Sequence, residues 1–355
     1  MRVLLLSRYC RLGASSRMRC LQYLPMLAKY GVHVDVNALY DEAYLIDLYQ
    51  YNRRCLKRMF FNYFRRIFPL LTSGRYDLLW VEQELLPWIP PFAEWLLDHQ
   101  NIPFVVDYDD AIFHRYDRHR NWLIRWGLGS KIDMIMKRAS VVIAGNSYIA
   151  SRAYKAGAKI VEIIPTVIDL NRYPVTPKIE SASLTIGWIG SPTTYTFFKS
   201  VASILIDLQK RFPVQVTVVG VPDPGPEGKL PFRYYPWSEE TEVGLLKSFD
   251  VGIMPLPDTP WTRGKCGYKL IQYMACGIPV VASKVGANID IVVPGKNGFL
   301  VSTPEEWTNA VERLILDRKL LETMGKNGRH QAENYYNIDK TFPILAQCLV
   351  QSARC

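Results

Sequence analysis

Residues 263–286 read RGKCGYKLIQYMACGIPVVASKVG and carry the strongest signal in the chain. Gly264 and Gly267 let the backbone approach a ligand closely, because glycine has no side chain to hold the ligand off. The helix predicted to begin near Tyr268 points free N–H groups and the positive end of its dipole at this loop. Three cations lie in the same short stretch: Arg263, Lys265 and Lys269. The combination predicts a loop that binds a diphosphate, and the alternative is a solvated basic loop before an ordinary helix.

On either side of this stretch, short apolar runs alternate with longer helical stretches. Helices are predicted over residues 17–30, 196–211 and 268–276. The apolar runs are typical of buried strands: 2–7, 32–38, 77–81, 104–107, 141–144, 160–164, 184–189, 214–219, 251–255 and 278–283. Such alternation predicts parallel sheets with helices on both faces. We therefore expect an α/β protein with two Rossmann-like, doubly wound domains that face a central cleft, with ligands at the carboxyl ends of the strands.

The domain boundaries follow from a break in this pattern. Residues 171–183 contain two prolines and few apolar side chains, which is typical of a linker. One Rossmann-like domain is therefore predicted over residues 1–170 and a second over residues 184–335. Residues 336–355 are predicted to form a C-terminal helix.

Composition places the 355-residue chain among globular proteins, because 49% of its residues are hydrophobic and 21% are charged. Seven cysteines without a CxxC pair predict reduced thiols in a cytosolic protein and no zinc site. The first ten residues suit a buried strand better than a signal peptide, and no apolar run reaches the length that spans a bilayer. The net charge of +10 favours an anionic partner. Nucleic acid is not expected, because the sequence lacks zinc-finger, RNP-like and helix-turn-helix spacings.

The stretch at residues 263–286 resembles the donor-binding motif of glycosyltransferase family 4, whose members are retaining enzymes of the GT-B fold. In that family a Glu precedes a Phe-Gly turn, and a second Glu follows eight positions later on the next helix. A run of the form Ala-Met-Ala-x-Gly-x-Pro-Val-Val-Ala comes after it. In this chain Gly267 lies at the turn, residues 273–282 read YMACGIPVVA, and residues 293–301 read VPGKNGFLV. The resemblance is specific over about residues 250–303.

Two departures from the family pattern concern its glutamates. The second Glu, which in the family binds the ribose hydroxyls of the donor, falls on Gln272, whose amide still accepts a hydrogen bond. The first Glu, which faces the sugar or the reaction centre, falls on Gly264. Asp258 is one candidate to replace that carboxylate. In the alternative, the cations of Arg263 and Lys265 fill the space.

The resemblance implies further donor contacts in the second domain. Residues 186–194 read IGWIGSPTT, and the family uses this strand end to contact the donor phosphates. A plain strand-to-helix turn is the alternative interpretation. The candidate donor-binding residues of this domain are Gly190, Ser191, Thr193, Lys199, Arg263, Gly267, Tyr268, Lys269 and Gln272.

The first domain carries a loop that resembles the first glycine loop of the family. Residues 11–17 read RLGASSR and come directly after the first predicted strand. In the family this loop lines the cleft beneath the sugar and the acceptor, which makes Gly13 and Arg17 candidate binding residues. Ser15 or Ser16 can also serve simply as a helix cap.

A cluster of acids follows another predicted strand of the first domain. Residues 105–114 read VVDYDDAIFH, and acids at such a strand end are costly to desolvate without a purpose. Many family members carry His-Asp here, and Asp109 and Asp110 take those two places. The resemblance implies that they hold sugar or acceptor hydroxyls or act as a base. Asp109, Asp110 and Lys265 are therefore the candidate catalytic residues, with helix capping and a metal site as the alternatives.

Residues 52–71, NRRCLKRMFFNYFRRIFPLL, combine six cations and no acid with aromatic side chains at helical spacing. One interpretation is an interfacial helix whose aromatic side chains enter lipid while its cations meet anionic headgroups. The other is a helix docked on the first sheet with its cations solvated. A second basic and aromatic stretch, residues 115–126, is open to the same two interpretations.

The function that the resemblance implies is sugar transfer from a nucleotide-diphosphate sugar to a hydroxyl of a glycan or lipid-linked acceptor, with retention, in bacterial surface polysaccharide synthesis. The first domain would bind the acceptor, the second the donor, and the C-terminal helix would cross back to the first domain. Cations and the helix dipole would stabilise the departing diphosphate without a cofactor or a required metal. We expect a cytoplasmic protein in peripheral contact with an anionic membrane. Two alternatives are open, a non-catalytic GT-B subunit that binds a protein partner and a nucleotide-sugar epimerase.

Overall fold

The chain divides into two units. The first comprises Met1–Val167, Arg263–Cys266 and Ile338–Cys355, and the second comprises Ile168–Thr262 and Gly267–Asn337. A computed structural model describes residues 1–51, 56–92, 94, 102–175, 183–223 and 230–353. Residues 263–266, predicted as part of the second domain, pack with the first unit instead. Residues 176–182 of the predicted linker lie outside the described residues.

A six-stranded parallel sheet forms the centre of the first unit. Its strands are β1 (Arg2–Tyr9), β2 (His33–Tyr40), β3 (Leu78–Glu82), β4 (Phe104–Tyr108), β5 (Val141–Ala144) and β6 (Val161–Ile163). Their spatial order is β2-β1-β3-β4-β5-β6, so the connections switch direction between β1 and β3. Every residue of β3 and β4 is buried, which explains why these strands appear in the sequence as continuous apolar runs.

Helices cover this sheet. They are α1 (Ala14–Arg19), α2 (Leu24–Lys29), α3 (Glu42–Tyr51), α4 (Leu56–Leu71), α5 (His114–Asp117), α6 (Trp122–Leu128), α7 (Lys131–Arg138) and α8 (Ser147–Ala156). The single helix predicted over residues 17–30 is wrong, because α1 ends at Arg19 and a 3₁₀ turn, Leu21–Tyr23, precedes α2. Pro25 lies in the first turn of α2, where a residue without an N–H is tolerated, whereas inside one continuous helix it would break a hydrogen bond.

The second unit repeats the design with another six-stranded parallel sheet. Its strands are β7 (Leu184–Ile189), β8 (Val214–Val219), β9 (Arg233–Tyr235), β10 (Val251–Met254), β11 (Val280–Ser283) and β12 (Gly298–Val301). Their order is β12-β11-β10-β7-β8-β9, which places the topological switch point between β7 and β10. The prediction of two Rossmann-like, doubly wound sheets is confirmed.

The second half of the chain contains the remaining helices. They are α9 (Tyr195–Lys199), α10 (Ala202–Arg211), α11 (Glu242–Lys247), α12 (Pro260–Arg263), α13 (Tyr268–Ala275), α14 (Asn288–Ile291), α15 (Pro304–Leu316), α16 (Arg318–Tyr335) and α17 (Ile338–Ala353). The helix predicted over residues 196–211 is two helices, α9 and α10. Helix α17 belongs to the first unit, where it contacts β3 and β4.

Two apolar cores lie on opposite faces of the second sheet. Leu184, Ile186 and Trp188 alternate along β7 and pack with residues of α10 and α15. Ile189 and residues of β11 pack instead with α13. Because side chains alternate along a strand, burial on both faces fixes the register of β7. The strand ends at the switch point are held in place by packing from both sides.

Candidate functional site

The carboxyl ends of β7 and β10 meet at the switch point of the second sheet, where open α/β sheets bind their ligands. Gly190 follows β7, and a Cβ atom there would lie 2.4 Å from the ring of Trp188 and 2.6 Å from Nζ of Lys269. The Lys269 ammonium lies 4.3 Å from the centroid of the Trp188 ring and 3.4 Å from Oγ1 of Thr194. The structure therefore brings Lys269 of α13 against the turn that follows β7.

The other predicted phosphate contacts of this turn have local roles. The hydroxyls of Ser191 and Thr193 lie 2.8 Å apart, and the backbone N–H of Ser191 donates to Oγ1 of Thr194 at 3.2 Å. The turn is capped by its own side chains, and its contact with the donor phosphates stays a prediction. Lys199 is exposed at the end of α9, with Nζ 5.6 Å from the centroid of the Tyr195 ring. No contact within the described residues joins Lys199 to the turn.

Helix α13 begins at a glycine in the left-handed conformation. Gly267 has a φ of +65°, and a Cβ atom there would lie 2.3 Å from Cδ1 of Ile291. The first N–H groups of α13 have no partners inside the helix and carry the positive end of its dipole. Of the neighbouring candidates, Tyr268 is half-buried and hydrogen-bonded to Tyr173, whereas Arg263 is exposed. The helix start has the features that were predicted for anion binding.

Gln272 lies one helical turn further along α13 and contacts a buried carboxylate. Its Nε2 donates to Oε1 of Glu242 at 2.9 Å and to the hydroxyl of Tyr173 at 3.2 Å. Glu242 is 2% exposed and also accepts hydrogen bonds from Trp237 Nε1 at 2.6 Å and from the Tyr173 hydroxyl at 3.2 Å. Burial and this carboxylate both raise the pKa of Tyr173. Because a carboxylate only accepts, Glu242 fixes which way the Gln272 amide faces.

A second cluster of polar residues lies at the carboxyl ends of β3 and β4 in the first unit. Oε2 of Glu82 accepts from the backbone N–H of Arg8 at 2.8 Å and from the Ser16 hydroxyl at 2.5 Å. Burial raises the pKa of Glu82 to about 7. The neighbouring strand end carries Asp107, which pairs with Arg19 at 2.8 Å, both side chains being 2% exposed.

Asp109 and Asp110 follow directly and bind different partners. Asp109 accepts from Gln83 Nε2 at 2.9 Å and from the hydroxyl of Ser15. Nζ of Lys265 lies 2.9 Å from both carboxylate oxygens of Asp110, so two of the three candidate catalytic residues form one ion pair. Burial disfavours the charge of Lys265, but the hydrogen-bonded Asp110 carboxylate and the nearby Asp109 together outweigh it and raise the pKa of the ammonium.

The segment around Lys265 is fixed by contacts within the first unit. Nδ2 of Asn146 donates to the Gly264 carbonyl oxygen at 2.9 Å, and the Cys266 thiol donates to the Asp109 carbonyl oxygen at 2.9 Å. A Cβ atom at Gly264 would lie 2.4 Å from Cβ and 2.6 Å from the backbone nitrogen of Ala111. A glutamate at position 264 therefore has no room here. The departure from the family pattern has a steric cause, and Asp258, its suggested replacement, is exposed in the second unit.

The glycine loop of the first unit is also tightly packed. A Cβ atom at Gly13 would lie 2.3 Å from Cβ of Tyr9, and Arg17 is 2% exposed with Nη1 donating to the Arg11 carbonyl oxygen at 3.3 Å. The alternative that Ser15 or Ser16 caps α1 is wrong, because the cap is Gly13 and makes no side-chain hydrogen bond. The two serines donate to Asp109 and Glu82 instead.

The sequence also indicates Glu82 and Glu84, which follow the strand around Trp80, as residues near the ligand site, but it gives no sign of their partners Arg8, Gln83 and Lys131. Glu84 is buried and accepts from Lys131 at 2.7 Å, with Arg8 at 3.6 Å; although burial raises the pKa of Glu84, these cations lower it overall. Gln83 has a φ of +66°, which is unusual for a residue other than glycine. Of these, only the acid-rich strand end around Glu82 and Glu84 is visible in the local sequence.

Two features are absent from the described ranges. Within them, no group of three or more His, Cys, Asp or Glu side chains is arranged to hold a metal ion. Within the same ranges, no helix has both the length and the apolar character needed to cross a membrane.

Two units that are each built on a six-stranded parallel sheet with a switch point define the GT-B class of fold. HepE of Anabaena, in a crystal structure with UDP and glucose, is similar with a TM-score of 0.73 and 18% identity, covering 99% of this chain and 100% of HepE. WaaG, a glycosyltransferase involved in lipopolysaccharide biosynthesis, is similar with a TM-score of 0.67 and 12% identity, covering 98% and 99%. At these identities the likeness establishes the fold, and the GT-B prediction is confirmed.

Residues 184–317 match the family model of glycosyl transferases group 1. The glycosyltransferase CapM of Staphylococcus aureus, named for capsular polysaccharide biosynthesis, is 38% identical over 80 residues, which are 22% of this chain and 21% of CapM. The D-inositol 3-phosphate glycosyltransferase of Gordonia bronchialis is 38% identical over 71 residues, 19% of this chain and 16% of that protein. The chain thus matches about a fifth of the length of these relatives. The second unit is similar to glycosyl transferases of group 1, and membership of family 4 stays a prediction.

Proposed function

We propose that this protein is a glycosyltransferase that moves a sugar from a nucleotide-diphosphate sugar to a hydroxyl of a glycan or lipid-linked acceptor, with retention at the anomeric carbon. One observation carries the proposal. Lys269, the turn at Gly190 and the start of α13 lie together at the switch point of the second sheet, inside the stretch that matches glycosyl transferases group 1. The UDP and glucose bound to HepE support a nucleotide sugar as the donor. CapM supports a role in bacterial surface polysaccharide synthesis.

The donor half of the site would act on the leaving diphosphate. The free N–H groups of α13 and the Lys269 ammonium would receive the diphosphate and stabilise the negative charge that develops as the sugar departs. Gln272 would accept a hydrogen bond from a ribose hydroxyl through its carbonyl oxygen, because both N–H groups of its amide are already engaged. We propose that neither a cofactor nor a metal is required, because a cation and a helix start are already in place.

Asp109, Asp110 and Lys265 would act on the acceptor or the transferred sugar. The Asp110–Lys265 pair presents a hydrogen-bond acceptor beside a donor, which suits sugar hydroxyls better than a second phosphate, since the charge of Lys265 is already balanced. In the proposed step the acceptor oxygen bonds to the anomeric carbon on the face from which the diphosphate leaves. The bond between the anomeric carbon and the phosphate oxygen breaks, and the proton of the acceptor hydroxyl passes to that departing oxygen. No protein nucleophile takes part.

We propose a cytoplasmic location, and one property of the chain supports it. The five described cysteines are free thiols, as expected of a cytoplasmic protein. We also propose a peripheral contact with an anionic membrane through residues 52–71, of which 52–55 lie outside the described residues.

The experiment that tests the function is thermal unfolding with UDP, GDP and ADP and their sugars, with and without magnesium and a chelator. A ligand at about 100 times its Kd adds ~2.7 kcal/mol, a rise of about 5–10 °C for a unit of this size. K269A should abolish the shift, whereas K210A, which removes an exposed lysine of the same unit, should keep it. Transfer to an acceptor is then measured with the nucleotide that binds.

Other outcomes separate the alternatives. No shift with any nucleotide on folded protein would favour a non-catalytic GT-B subunit. Conversion of the donor sugar without an acceptor would identify an epimerase. Equal shifts in K269A and wild type would contradict the diphosphate assignment.

A further inference from the structure

Helix α4 carries most of its large apolar side chains on the outside, although Leu70 is buried, and it turns two polar side chains to the inside. Six large apolar residues of α4 are exposed, from 42% for Ile67 to 77% for Phe60; they are Phe60, Phe61, Phe64, Ile67, Phe68 and Leu71. On the opposite face, Asn62 and Arg66 are each 1% exposed. A helix that packs on a core in water normally has the reverse arrangement.

Several polar atoms on the inward face of α4 lack hydrogen-bond partners, so the contacts of this face do not explain why the helix turns its apolar side chains outward. One guanidinium nitrogen of Arg66 donates to the Ser7 carbonyl oxygen, but its other two nitrogens are buried without hydrogen-bond partners among the described residues. The side-chain oxygen and nitrogen of Asn62 are also buried without hydrogen-bond partners among the described residues. Burial lowers the pKa of Arg66 to about 9. An apolar patch held outward at this cost indicates a surface that is covered when the protein works.

A second helix of the first unit, α6, also exposes large apolar side chains. Trp122 is 63% and Trp126 is 82% exposed, one turn apart on α6. The two helices are linked through the loop after β3. The Tyr63 hydroxyl of α4 donates to the Pro87 carbonyl oxygen at 2.7 Å, and the next residue, Trp88, is 41% exposed with its ring 5.7 Å from that of His119, just before α6.

The charge around this surface identifies its partner. Lys57 and Arg65 on α4 are exposed. Arg118 and Arg120, just before α6, are exposed as well. Aromatic side chains surrounded by cations match a bilayer whose headgroups are anionic.

We infer that the first unit binds the surface of an anionic lipid bilayer through α4 and α6 together. The aromatic side chains of both helices enter the headgroup region, and the surrounding cations contact the anionic headgroups. The inference deepens the membrane contact proposed above by naming a second helix that shares it. It rests on that proposal for its link to the acceptor, but binding is measured without any sugar transfer, so either can fail without the other.

The test is co-sedimentation of the full chain with vesicles of phosphatidylcholine and phosphatidylglycerol in equal parts, compared with pure phosphatidylcholine. We expect binding to the anionic vesicles that weakens with added salt. F60S/F64S should weaken binding about a hundredfold, and W122S/W126S should weaken it comparably. K57Q/R118Q should weaken it about thirtyfold, since each cation near an anionic surface is worth about a fivefold factor. L316S/Y335S, which removes apolar side chains that are 70% and 68% exposed on the second unit, is the matched control and should bind like wild type.

Thermal unfolding of each variant, with nucleotide, confirms that it is folded. Failure of the wild type to bind anionic vesicles, or equal binding by F60S/F64S, overturns the inference. Loss of binding in the α4 variant but not in the α6 variant overturns the two-helix surface. Light scattering that shows a lipid-independent dimer, dissociated by F60S/F64S, would make this face a protein interface and would also overturn it.

Discussion

Replacing Gln272 by Glu, which restores the carboxylate of the family pattern, is expected to destabilise this protein. The new carboxylate would lie about 2.9 Å from Oε1 of Glu242, where the Nε2 of Gln272 now donates. Two charges at that distance repel by ~6 kcal/mol at an effective dielectric constant of about 20. If the two carboxylates instead share one proton, the repulsion is avoided. Protonating a glutamate of ordinary pKa at neutral pH costs ~4 kcal/mol, which is less than the repulsion. The pair therefore binds a proton, and the loss of stability is about 4 kcal/mol.

The pH dependence distinguishes this cause from a packing defect. The pair binds its proton more tightly in the folded protein than the same glutamates do in the unfolded chain. Stability of Q272E is therefore lost as pH rises, by ~1.4 kcal/mol per unit above about pH 4, and recovers on acidification. In a thermal scan the loss at neutral pH corresponds to a Tm about 8–16 °C below that of wild type.

Two further variants control for the position of the charge and for the added charge itself. E242Q/Q272E exchanges the carboxylate and the amide across the same hydrogen bond and should recover most of the lost Tm. N334D adds the same charge at an exposed position of the second unit and should change stability by less than about 0.5 kcal/mol. A Q272E protein as stable as wild type at neutral pH, or a loss of stability that does not shrink in acid, would show that the two carboxylates do not repel each other in the folded protein.

Two further predictions concern the first unit. Burial raises the pKa of Glu82 to about 7, above its value of ~4.3 in an unfolded chain, so wild type loses stability as pH rises between these values. E82Q should remove that loss and have a free energy of unfolding ~3 kcal/mol higher than wild type at neutral pH. Denaturant titrations should show this gain fading toward about pH 4, and a difference that does not change with pH would contradict the prediction. G264E should lower the free energy of unfolding by about 1–3 kcal/mol, because the new side chain clashes with Ala111. The Tm should therefore fall, and the rate of sugar transfer should not rise. A stable variant with faster transfer would show that the site has room for the family carboxylate.

Much of the fold could be predicted because buried parallel strands are continuous apolar runs. The strands β5, β7 and β8 have the predicted bounds. The short strands β9 and β12 were missed, because they are the two edge strands of their sheet and part of each is not buried. Local pattern also missed the break at Cys20, where tertiary packing and Pro25 divide one apparent helix into α1 and α2.

The candidate site was predicted as a set of residues, but the pairing among them was not. Lys265 and Asp110 were both selected, yet they are 155 positions apart, and no local pattern reveals that they form an ion pair. Glu242 had no signal at all, since an acid in the first turn of a helix is usually solvated. Its burial follows from three donors that the fold brings from Tyr173, Trp237 and Gln272.

The division of the chain into units has a consequence for its synthesis. The second unit ends at Asn337, whereas the first requires α17, which lies after it in the chain. Leu345 and Leu349 of α17 are fully or almost fully buried, and the hydroxyls of Tyr23 and Thr341 are hydrogen-bonded at 2.7 Å. As the nascent chain leaves the ribosome, the second unit therefore has all of its sequence before the first does. Part of the apolar surface of the first sheet therefore stays uncovered until α17 emerges.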